Sequence, residues 1–133
     1  MVEPPPLEAT VIRFPSMKHD RVESRALQAF RECGSHRISV FLGVSENGED
    51  EDRLHARLIE AAGLEGMNLE SLNWIFVSKV ESLISLGFSF EKDGHAGERR
   101  EHYSVNVNKN GADLQPMDIC QFIAAFTDKR RAT

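Results

Sequence analysis

The spacing of apolar residues along this chain changes several times, and each change predicts an element. In residues 20–33, Val22, Ala26, Phe30 and Cys33 recur at helical spacing with Leu27 beside them, and Gly34 follows as a left-handed stop. Asp20, with Glu23 three residues on, predicts a capping box at the start of this helix. Residues 37–44, RISVFLGV, place apolar groups on both faces of an extended chain. That pattern predicts a strand covered on both sides, central in its sheet. Leu54, Leu58, Ala61 and Ala62 then form one stripe of a helix, which Gly63 is expected to end.

The pattern over 68–86 predicts the longest helix, with Leu69, Leu72, Phe76, Val80 and Leu83 in one seam. Asn68 is its expected cap and Gly87 its stop, and Trp74, Ile75, Val77 and Ile84 make it apolar around most of its circumference. Residues 88–93 and 102–109 predict a hairpin. Tyr103, Val105 and Val107 alternate with Ser104, Asn106 and Asn108, which predicts one wet face. Proline at 116 opens a last helix carrying Ile119, Phe122, Ile123 and Phe126, and Lys129, Arg130 and Arg131 are expected to finish it. Near the start, 10–14 predicts a short strand. Pro4, Pro5 and Pro6 predict an extended tail over 1–9, which leaves 10–133 as a single domain.

Together these elements predict an α+β fold of about four helices on a small mixed or antiparallel sheet of three or four strands. The expected core is Phe30, Phe41, Leu58, Trp74, Phe76, Val80, Leu83, Phe88, Phe90, Val105, Phe122 and Phe126.

Charge sharpens the picture. Residues 45–70 hold eight acids against Arg53 and Arg57, while the other parts of the chain carry 13 acids and 14 bases. The net charge of −5 is therefore a local feature. Acids at the start of a helix complement its dipole, so part of the cluster serves local structure. Glu46, Glu49, Asp50, Glu51 and Asp52 remain the candidate contacts to a basic protein surface, or to another copy of the chain.

Motifs of chemistry are sparse. Cys33-x-x-His36 has no second Cys/His pair at short spacing, and ENGEDED lacks the alternating acids and fixed glycine of a calcium loop. Neither a phosphate-binding glycine loop nor a nucleophile elbow is present, so no cofactor, metal or catalytic residue is assigned. Cys33 and Cys120 are expected to be reduced, buried thiols. The proline-rich start does not read as a secretion signal, and no apolar run reaches membrane-span length, so a cytoplasmic location without membrane contact is expected.

From residue 20 the expected order is helix, strand, helix, helix, strand, loop, strand. That order resembles the winged-helix family. The resemblance implies a DNA-binding regulator with 68–86 as recognition helix and Lys92, Arg99 and Arg100 on the wing. The implied recognition helix, however, offers Lys79 as its only base and sits beside the acidic region, which disfavours phosphate contact. The leading expectation is a non-enzymatic protein-binding module, such as an adaptor, inhibitor, immunity-type or small regulatory subunit. A winged-helix regulator comes second, and a small enzyme of unrecognised type third.

Overall fold

A computed structural model describes residues 5–66, 73–92, 100–111 and 113–132. The fold is α+β, with four helices on a six-stranded antiparallel sheet, two or three strands more than the sequence pattern predicts. The strands are β1 (Thr10–Arg13), β2 (Arg37–Gly43), β3 (Trp74–Lys79), β4 (Ser89–Glu91), β5 (His102–Asn106) and β6 (Asp128–Arg131), in spatial order β4-β5-β2-β1-β3-β6. The helices are α1 (His19–Cys33), α2 (Glu51–Leu64), α3 (Val80–Ser85) and α4 (Pro116–Ala124). β2 is interior, as its two-faced apolar pattern requires.

Helices cover both faces of the sheet. On one face Val11, Ile38, Val40 and Val105 pack with Val22 and Ala26 of α1, Leu83 of α3, and Ile119 and Phe122 of α4. On the other, Ile12, Phe41, Ile75 and Val77 pack against Leu54, Leu58, Ala61 and Ala62 of α2. Alternation along each strand sends successive residues to opposite layers, so Val11 and Ile12 are both fully buried in different clusters.

Several expectations are overturned. The 68–86 segment is not one helix: residues 74–79 form β3, only 80–85 are helical, and 67–72 lie outside the described residues. With a strand where the recognition helix should be, the order from α1 onward is no longer the winged-helix order. The basic run 129–131 does not finish α4 but lies in edge strand β6, paired with β3 from Trp74–Arg131 to Val77–Asp128. α1 begins at His19 with no side-chain cap, so the Asp20–Glu23 box is not made. The polar face of β5 is not open to water, since Ser104 is buried. Phe30, expected in the core, is 48% exposed, and Cys33 and Cys120 are exposed free thiols.

Gly34 does end α1 in the left-handed region, at φ 82°, and Pro116 does open α4. Among the described leading residues Pro5 is buried. The carbonyls of Leu7 and Ala9 accept from the backbone N–H groups of Glu81 and Val80, both at 3.1 Å. Those donors would otherwise be orphaned at the start of α3, whose cap residue Lys79 offers no side-chain bond.

Candidate functional site

The acidic segment folds back on itself through Arg57. A turn closed by Glu49 N–H to the Glu46 carbonyl (2.8 Å) brings Glu49 over the first turns of α2. Arg57, two turns in, donates to Glu49 from Nε at 3.0 Å and from Nη2 at 3.1 Å, and Nη2 also donates to the Val44 carbonyl at 2.7 Å. This pairing holds the Glu49 carboxyl below its ordinary range and the Arg57 guanidinium above its own. Asp50 caps α2, its carboxylate accepting from Arg53 N–H at 2.8 Å. Glu51 lies 3.7 Å from Arg130 of β6 and 3.8 Å from His55. Glu46 pairs with Arg100 at 3.0 Å. Among the five acids only Asp52 makes no ion pair or hydrogen bond with a described residue.

The basic hairpin is likewise engaged within the chain. Arg100 bridges Glu46 and Glu101, and the Glu101 bond (2.9 Å) is the main cause of its raised pKa. Lys92 donates to the His102 carbonyl at 2.7 Å and lies 4.7 Å over the Tyr103 ring. Arg99 falls outside the described residues. Of the residues implied as a DNA-contacting wing, the two that are described thus serve the β4–β5 hairpin and its junction with the acidic turn.

A different site is assembled by the strand that the sequence pattern concealed. In β3, Ile75 and Val77 point toward α2, which leaves Trp74 and Phe76 on the opposite face. There they line a cleft of about 380 Å³ with Met17, Ile123 and Phe126. Lys18 and Lys129 complete the lining together with Pro15 and Ser16, so the described lining includes two cations and no acid. The Lys129 ammonium stands 4.7 Å from the Trp74 ring centroid and 5.9 Å from that of Phe76, and the Arg131 guanidinium is 5.1 Å from Trp74. Alternation along β6 puts Lys129 and Arg131 on this face, while Arg130 turns to Glu51. The usable signal was the aromatic and β-branched run WIFVS, which favours a strand over a helix.

The fold also brings a serine to a histidine, which no local motif foretold. Ser39 Oγ lies 2.5 Å from His102 Nε2 on the neighbouring strand, and His102 Nδ1 lies 3.8 Å from Glu65. The His102 ring stacks on Phe41 at 4.8 Å. Ser39 is in the middle of β2, in register with Ser104, and not at a turn or helix start where backbone N–H groups could receive an oxyanion. The arrangement therefore acts as a polar cross-strand tie. Among the described residues no three His, Cys, Asp or Glu side chains converge as metal ligands, and no helix is long and apolar enough to cross a membrane.

The fold and cleft define the class: an α+β domain with an aromatic, basic-rimmed groove beside an edge strand. Comparison with protein-family models, with curated proteins and with solved structures finds no match.

Proposed function

We propose that this protein is a non-enzymatic protein-binding module whose partner seats in the Trp74–Phe76 cleft. The observation that carries the reading is the cleft itself: an aromatic floor with Lys18 and Lys129 in its wall and no acidic side chain among its described lining residues. Interface energy concentrates in buried aromatic anchors ringed by polar groups, and that is the composition here. The fitting occupant is an acidic segment that presents one apolar side chain to the cleft. The chain's own 45–52 segment, SENGEDED, has the charge but no apolar anchor, which favours a different protein over a second copy.

This reading moves the principal contact away from the acidic segment, because four of its five candidate carboxylates already have partners within the chain. Asp52 and the outer edge of Glu51 remain a secondary contact to a basic surface. The exposed, unpaired thiols of Cys33 and Cys120 fit a reducing compartment such as the cytoplasm.

Trp74 is the only tryptophan in the chain, so its emission reports on the cleft directly. Random peptides selected on the wild-type protein should be enriched in acidic residues around an aromatic or aliphatic one. They should shift the Trp74 spectrum and lose affinity for Lys129→Glu. Selected peptides that bind Lys129→Glu and Trp74→Ala as well as wild type would overturn the assignment.

A further inference from the structure

β1 is shorter than the strand beside it. Its ladder with β2 runs from Thr10–Gly43 to Ile12–Phe41, so the first residues of β2 have no β1 backbone partner. The Arg13 side chain enters this gap, with Nη1 donating to the Ser39 carbonyl at 2.8 Å. Its Nε is sealed from solvent and has no acceptor among the described residues. Desolvation, with the like charge of Arg25, pulls the Arg13 pKa down to about 10, which still leaves it cationic at neutral pH. A part-buried charge with a sealed, unused donor is costly unless an anion arrives to meet it.

Two adjoining cavities flank this guanidinium. The larger, about 380 Å³, is lined by Arg13, Pro15, Ser16, Arg21, Ser24, Arg25 and Gln28. The smaller, about 240 Å³, shares Arg13, Arg25 and Gln28 and extends to Arg37 and Glu32. Residues 21, 24, 25 and 28 follow the three- and four-residue spacing of one α1 face, so the helix presents them together. Arg21 and Arg25 make no ion pair with a described residue. The acid on the wall, Glu32, accepts from Gln28 at 3.1 Å, and Arg37 is partnered by Glu91 at 3.9 Å.

We propose that this cavity binds a phosphomonoester, its oxyanion held between Arg13, Arg21 and Arg25 with the Ser16 and Ser24 hydroxyls. Three guanidinium forks supply the planar, bidentate geometry that phosphate oxygens favour. The idle Arg13 Nε gains an acceptor. A water occupies about 30 Å³ of liquid, so the larger cavity has space for roughly a dozen waters. That exceeds a bare phosphate and leaves space for the group that carries it.

The site does not depend on the aromatic cleft, and its test is separate. The full chain is titrated calorimetrically, and its unfolding followed, in inorganic phosphate, in phenyl phosphate, and in a phosphoserine peptide carrying one aromatic residue, with chloride at matched ionic strength as control. Phosphate should bind and raise the Tm above chloride. Arg21→Gln and Arg25→Gln, both on an exposed helix face, should weaken binding about tenfold or more. Arg13→Met should abolish the phosphate-dependent rise and raise the Tm of the ligand-free protein. Phenyl phosphate binding more tightly than the peptide assigns the ester to a small molecule. Tighter binding of the peptide assigns it to a partner chain, since Pro15 and Ser16 line both this cavity and the cleft. Equal Tm in phosphate and chloride, or unchanged phosphate affinity in Arg25→Gln, would overturn the proposal.

Discussion

Arg57 clamps Glu49 at 3.0 Å and in doing so decides what the acidic segment can do. The same guanidinium ties down the Val44 carbonyl and lies 3.6 Å from Glu101, so it joins the end of β2, the acidic turn and the approach to β5. Arg57→Ala should cost about 1–2 kcal/mol in urea denaturation, the value for bonds to charged groups once reduced by solvent screening at a part-exposed pair. The acid limb carries a second signature. The Glu49 pKa is depressed in the fold, so its contribution is complete above the ordinary carboxylate value of 4.5 and is lost as pH falls through the folded value. Glu49→Gln should flatten stability against pH in that acid window and leave its shape near neutrality unchanged.

Asp50 and Asp52 stand two residues apart and have different duties. Asp50→Ala removes the α2 cap and should lower stability by about 1 kcal/mol. Asp52 bonds no described residue but sits in the first turn of α2, so Asp52→Asn, which keeps a polar side chain there, should stay within about 0.5 kcal/mol of wild type. A contact between the acidic segment and a basic partner is therefore tested more cleanly by Asp52→Asn, which should weaken binding at low salt with little change in the unfolding midpoint. Equal destabilisation by the two substitutions would refute the distinction.

Much of the fold was readable because local pattern and tertiary role agree. RISVFLGV reads as a two-faced strand and is one; Pro116 and Gly34 punctuate helices where their geometry demands it. The failures come from residues whose local signal is ambiguous or only non-local. Within WIFVSKVESL an apolar run satisfies helical spacing and a buried strand equally well, and pairing with β1 on one side and β6 on the other selects the strand. Basic residues at 129–131 suit a helix end, yet Trp74 and Glu51 offer them partners only once β3 exists. Charged residues on an edge strand also discourage pairing with other chains. The cleft depends on such distant juxtapositions, and so does the arginine cavity, where helical spacing groups Arg21, Ser24, Arg25 and Gln28 but nothing along the chain brings Arg13 to them.

His55 is buried against α2's apolar layer with Nε2 unbonded, and Glu51, at 3.8 Å, is too far for a hydrogen bond. Burial lowers its pKa below 6.5, against the opposing pull of Glu51 and Asp52 and with help from Arg130 and Lys79. The unfolded chain therefore takes up a proton first as pH drops. Stability from this group is complete above about 6.5 and declines below it, toward the folded pKa. His55→Leu places an apolar side chain in an apolar layer and removes an unbonded polar atom. The gain of this variant over wild type should grow as pH falls from 7 to 5. A gain independent of pH would show that the histidine is not what titrates.

Gly87 ends α3 in a Schellman arrangement, and six helical residues have little else to stop them. Its N–H donates to the Ile84 carbonyl at 2.9 Å, and the next N–H, of Phe88, reaches the Leu83 carbonyl at 3.1 Å. Leu83 and Phe88 then meet in the core, the apolar contact that accompanies this motif. The residue sits at φ +99°, where a side chain is strained, and a Cβ there would meet Lys109 Cδ at 3.0 Å. Lys109 could swing away, but in doing so it would give up its bond to the Leu86 carbonyl (2.8 Å) and its place over the Phe88 ring. Gly87→Ala should therefore destabilise by about 1–2 kcal/mol, the backbone strain accounting for most of it. Adding Lys109→Ala removes the side-chain clash but not the strain. The double variant should recover little of the loss relative to Lys109→Ala alone, and a full recovery would place the cost in the contact and not in the backbone.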